Sequence, residues 1–69
     1  MKISARNQWP GTVKKIVQGA VNSEVIVTLP GGQEVVAIIT RASVERLGLA
    51  EGKRAFVIVK SSDVMLAVE

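Results

Sequence analysis

Near its start the chain reads Ser4-Ala5-Arg6-Asn7, and towards its end Lys60-Ser61-Ser62-Asp63-Val64-Met65-Leu66. Hydroxyls, a guanidinium and an ammonium are donors, and a sequence that offers them with neither Cys nor His is equipped to hold an oxyanion rather than a metal cation. Ser4 and Arg6, two apart, share a face on an extended segment. Thr40 and Ser43 are three apart at the start of the only stretch with helical spacing, where free N–H groups and the helix dipole favour negative charge. Two half-sites are therefore visible. Each also has a plainer reading: Thr40 as a helix N-cap worth about 1 kcal/mol, Ser43 as a polar first-turn residue, and both chain ends as solvated polar segments.

Catalysis fits this residue list poorly. His, Cys and Tyr are absent, and the six carboxylates, at positions 24, 34, 45, 51, 63 and 69, fall in turns, on the helix or at exposed strand positions. Ser with Lys is the one nucleophile and base that can be paired. Lys60 and Ser61, taken as successive strand residues, point to opposite faces, which argues against such a dyad. The expectation is a binding protein and not an enzyme.

These donors must be positioned by a very small frame. Residues 1–69 make one domain, and a chain of this length buries only about 60% of the surface its unfolded form exposes. Disulfides and a structural zinc site are both excluded by composition. Oligomerisation remains as the supplement, and the 48% hydrophobic content, almost wholly aliphatic, exceeds what one such domain can hide. Trp9 reads as a packing or interface residue and Phe56 as core. No segment approaches the roughly 20 apolar residues of a membrane span, and the first residues lack the apolar run of a secretory signal. A cytoplasmic protein is expected, with no membrane contact.

Periodicity indicates strands. Residues 12–17 and 24–29 partly alternate apolar and polar types with β-branched residues in excess, and Gly19 lies between them, as in two antiparallel strands. Pro30-Gly31-Gly32 signals a turn. Residues 34–40 then run almost continuously apolar, as a strand buried on both faces would. Residues 41–47 place Val44 and Leu47 on one side of a short helix, with Gly48 as its C-terminal glycine. Residues 55–59 and 64–68 read as two further strands. Five strands with a helix after the third is the element order of a small, all-β, OB-like barrel. Residues 1–7, ahead of the Pro10-Gly11 break, read as a possible further edge strand reaching to a neighbouring subunit.

Taken together, Ser4-Ala5-Arg6-Asn7-Gln8, the aliphatic strand ending at Thr40, Ser43-Val44-Glu45-Arg46-Leu47-Gly48-Leu49 with Glu51-Gly52, and Lys60-Ser61-Ser62-Asp63-Val64-Met65-Leu66 resemble the molbindins. These are small Mop-domain proteins that bind molybdate and tungstate. The resemblance spans nearly the whole chain, and its opening and closing motifs are specific in combination. It implies an OB-like barrel assembled as a hexamer, with molybdate or tungstate held between subunits, no organic cofactor, and a role in storage and molybdenum homeostasis. By the same resemblance, Ser4, Arg6, Lys60 and Ser61 come from one subunit and Thr40 with Ser43 from its neighbour, while backbone amides around Ala5 and Asn7 contribute. The chain looks like the stand-alone form of the domain. A second kind of site, near a symmetry axis, is implied around Gly19, Ala20 and Val21. Trp9-Pro10 and Arg41 depart from the family pattern, and Arg41 either adds charge to the pocket or points to solvent.

The alternative is an OB-type nucleic-acid-binding module, suggested by the fold class and the formal charge of +3. Single-strand binders combine a positive groove with several stacking aromatics. Two aromatics are too few, and no nucleic-acid partner is expected.

Overall fold

The computed structural model describes all of residues 1–69. Four strands, β1 (Asn7–Gln18), β2 (Asn22–Thr28), β3 (Glu34–Thr40) and β4 (Arg54–Val59), form one antiparallel sheet in the order β3-β2-β1-β4. One helix, α1 (Arg41–Leu47), follows β3, and a single 3-10 turn (Ser61–Asp63) follows β4. The sheet curls into a half-barrel whose two edges, β3 and β4, are not joined to each other.

The inward row is short. Val13, Val25, Val27 and Val44 are buried, with Ile16, Ile39, Leu49, Ala55 and Val57 packed around them. A register shift between Val13 and Lys15 explains why β1 alternates only partly: Val13 faces Val27, Ile16 faces Val25, and Lys14 is the extra residue. Such a bulge lets two apolar residues three apart both turn inward. Lys14 itself reaches Glu34 on β3 and forms an ion pair with it. Ser23, also inward on β2, is buried without a hydrogen-bond partner.

The helix begins and ends where its sequence signals put it. The Thr40 hydroxyl accepts from the Ser43 N–H at 3.0 Å, closing the first turn. Gly48 adopts φ 65°, a left-handed position that lets its N–H return to the Glu45 carbonyl. Val44 is the buried anchor of α1, whereas Leu47, expected beside it, is exposed at the rim of the open half-barrel.

Five further expectations need correction. β1 begins at Asn7, not at residue 12, and runs through Pro10-Gly11. Pro10 is tolerated because residues 7–11 pair only with β4, so the missing N–H breaks no ladder to β2. β3 is not buried on both faces: Val36 and Ile38 are 56% and 64% exposed, because a single-layer sheet covers only its concave side. Phe56 is 56% exposed rather than core. The fifth strand does not form: residues 64–69 carry no regular structure, and Met65, Leu66 and Val68 are 92–98% exposed. Residues 1–6 form no edge strand either, the chain bending at Ser4 and Arg6 instead.

Candidate oxyanion site

One pairing builds the first half-site. β1 and β4 run antiparallel with Asn7 opposite Val59, so the segments that leave the sheet at this end, 3–6 and 60–62, lie beside each other. Between them is an open hollow of about 530 Å³ lined by Ser4, Ala5, Arg6, Lys60, Ser61 and Ser62. Five of the eight residues singled out in the sequence thus converge, although neither segment is the extended strand assumed for it. Ser4 and Arg6 sit at bends, and Lys60 caps the 3-10 turn that contains Ser61. The argument from opposite strand faces therefore does not apply to Lys60 and Ser61, yet no hydrogen bond joins them. Asn7 is the first residue of β1 and stands at the edge of the hollow without lining it.

The chemistry of this hollow is one-sided. No carboxylate lines it, and neither Arg6 nor Lys60 is engaged in an ion pair. A guanidinium, an ammonium and three hydroxyls are available to an incoming anion, with charge-assisted bonds from the two cations. Ile3 and Ile58 supply an apolar wall. Sequence reasoning missed both. The signal for Ile58 lay in its place two residues before Lys60, with Gln8 opposite it on β1.

Thr40 and Ser43 form the second half-site, and they are already bonded to each other. Thr40 Oγ1 accepts from the Ser43 N–H and donates to Ser43 Oγ at 2.8 Å. This leaves the Ser43 O–H as the free donor, polarised by the hydroxyl behind it. Thr40 borders a separate hollow of about 550 Å³ with Ala20, Val21, Arg41 and Glu45. Arg41 therefore faces a hollow rather than solvent alone, its Nε 3.7 Å from a Glu45 carboxylate oxygen. The Gly19-Ala20-Val21 turn closes on itself through Gly19 N–H to the Asn22 carbonyl and holds the helix start through Arg41 N–H to the Val21 carbonyl. Ala20 and Val21 share the Thr40 hollow, whereas Gly19 does not line it. The two half-sites have no lining residue in common.

The two aromatics do not make a stacking surface. Trp9 is opposite Val57 and Phe56 opposite Pro10, so they project from opposite faces of the sheet.

A curled antiparallel half-barrel with one capped helix and donor-rich ends defines a small OB-like module with a hollow suited to an anion. The TOBE domain model matches residues 3–66, and the chain belongs to that family, in its molbindin group. It is 44% identical to a probable molybdenum-pterin-binding protein of Haemophilus influenzae, over the full length of both chains. It is 51% identical over all 69 residues to the molybdenum transport protein ModE of Azotobacter vinelandii, of which it spans 26%. Among solved structures, the cytoplasmic molybdate-binding protein ModG, with molybdate bound, superposes with a TM-score of 0.96 at 45% identity, covering all of this chain and 49% of that one.

Proposed function

We propose that this chain binds molybdate or tungstate, as the intact dianion, between subunits of a homo-oligomer, and serves intracellular storage and molybdenum homeostasis. The observation that carries the reading is the hollow where Ser4, Arg6, Lys60 and Ser61 meet without a carboxylate. Two cations match two negative charges, and neutral hydroxyls and the backbone amides near Ala5 and Asn7 direct bonds at individual oxygens. Binding is reversible, with no covalent or redox step. The likeness to a ModG structure holding molybdate supports the choice of ligand and a cytoplasmic setting.

Two features support an interfacial site. Thr40 borders a different hollow from Arg6 and Lys60, which fits a site completed when a neighbouring subunit brings the second half-site to the first. Residues 64–68 are an apolar run without regular structure, with Val64, Met65, Leu66 and Val68 left exposed. An apolar hollow of about 460 Å³, bordered by Ala37, Ile39, Ala55 and Val57, opens between the unpaired edges of β3 and β4. The tail of a second copy completes the barrel as its fifth strand, covering both edges. A hexamer follows from the family resemblance.

Phosphate carries a proton near neutral pH, and accepting it would turn one of the serine hydroxyls from donor to acceptor, at the cost of a bond to the anion. Sulfate matches in charge and shape and is discriminated by size alone. Isothermal titration with molybdate, using sulfate and phosphate in the same buffer, tests the reading. Saturable molybdate binding that survives millimolar sulfate is the expected result. Absence of heat with all three anions would leave an assembly module without an oxyanion site.

A further inference from the structure

Across the half-barrel, away from the hollow at Arg6, one row of the sheet carries a second set of unpaired donors. Arg54 on β4 pairs with Thr12 on β1, Thr12 pairs with Thr28 on β2, and Thr28 pairs with Glu34 on β3. Directly opposite residues of antiparallel strands project from the same face, with Cβ atoms about 5 Å apart. The guanidinium and the two hydroxyls are therefore consecutive on one surface. They line an open hollow of about 370 Å³, walled by Leu29, Pro10 and Pro30.

Three observations give this hollow a ligand class. Arg54 is in no ion pair, and neither threonine hydroxyl has a partner within the chain. The one carboxylate on the row, Glu34, is taken by Lys14, which the bulge in β1 brings across β2. The charge count also differs from that of the site above: a single cation lines this hollow, against two at Arg6 and Lys60. One guanidinium with two flanking hydroxyls complements a planar monoanion, which it meets with two parallel N–H···O bonds, and leaves a dianion under-compensated. The leucine and proline walls suit a short apolar stem.

We propose that the Arg54–Thr12–Thr28 row binds a small organic monocarboxylate, at a site separate from the oxyanion hollow. The guanidinium takes both carboxylate oxygens, the threonine hydroxyls donate from the side, and the aliphatic part of the ligand lies against Leu29 and Pro30.

The test is a titration of the ¹⁵N-labelled, molybdate-saturated protein with sodium propionate, followed by amide chemical shifts, against sodium chloride at matched ionic strength. Saturable shifts at Gly11, Thr12, Thr28, Leu29 and Arg54, with half-saturation in the millimolar range, are expected. Arg54→Gln should raise the half-saturating concentration at least about tenfold, while Arg6→Ala, without molybdate, should leave it unchanged. Shifts that grow linearly, that chloride reproduces, or that persist in Arg54→Gln would overturn the proposal. Sulfate binding the row more tightly than propionate would overturn the monocarboxylate class. Because Arg6→Ala reports on the oxyanion hollow and Arg54→Gln on the row, failure of one reading is distinguishable from failure of the other.

Discussion

Asn7 on β1 lies opposite Val59 on β4, and this one register places Arg6 beside Lys60 at the same end of the sheet. The two cations of the candidate site thus come from opposite ends of the chain and are held together by backbone pairing rather than by contact with each other. The arrangement separates binding from folding, because both side chains project beyond the last paired residues.

Arg6→Ala should therefore weaken molybdate binding by about a hundredfold, the loss of a charge-assisted interaction of roughly 3 kcal/mol, without altering the melting temperature of the ligand-free protein. Thermal melting with and without molybdate checks this, since a ligand that binds only the folded state raises the midpoint by mass action. An unchanged molybdate-dependent rise in the variant would remove Arg6 from the site.

Thr40→Val removes a hydroxyl that both caps α1 and polarises Ser43. It should cost about 1 kcal/mol of stability and also weaken molybdate binding, whereas Thr40→Ser should restore both. Urea unfolding and calorimetric titration of the pair of variants separate the two effects. A Val variant that binds as the parent does would reduce Thr40 to a cap.

Ser23→Ala should stabilise the protein by about 1 kcal/mol, since the buried hydroxyl has no partner and alanine fits its space. A raised denaturant midpoint at constant slope is the signature.

Gly11→Ala should destabilise by about 1–3 kcal/mol. A Cβ there would stand 2.5 Å from Val27 Cγ1 and 2.9 Å from the Thr28 carbonyl oxygen, and the backbone oxygen has no freedom to retreat. The same unfolding measurement reports it. An unaffected midpoint would mean that β1 and β2 can separate locally at no cost.

Leu66→Asp changes a side chain that touches almost nothing within its own subunit, being 93% exposed. Its expected effect is on assembly: light scattering should show a smaller particle than the parent at equal concentration. A particle of parental mass would dismiss the exchanged tail.

Much of the frame was legible because alternation, caps and turns are local signals. β3, α1 with Thr40 and Gly48, and most of β2 and β4 lie where their residues put them. The errors over burial have one origin. Phe56, Val36, Ile38 and Leu47 are apolar and read as interior, and the apolar run 64–68 reads as a strand of the same barrel; in the single chain they lie on open edges and faces. Sequence hydrophobicity reports that a residue will be covered, and does not say by which copy. The site shows the same division. The donors were legible by type, but their convergence depends on the β1–β4 register, which no short motif encodes. The bulge at Lys14 was hidden as well, visible only as a lapse in alternation.

The pairing of Asn7 with Val59 also has a consequence in time. β1, β2 and β3 form successive hairpins between neighbours in sequence, whereas the contact that builds the hollow joins opposite ends of the chain. Closing the longest loop carries the largest entropic penalty, so this zipper closes after the hairpins. The hollow between Arg6 and Lys60 is then the last part of the subunit to take shape, and under the proposed function a half-folded chain would hold no anion.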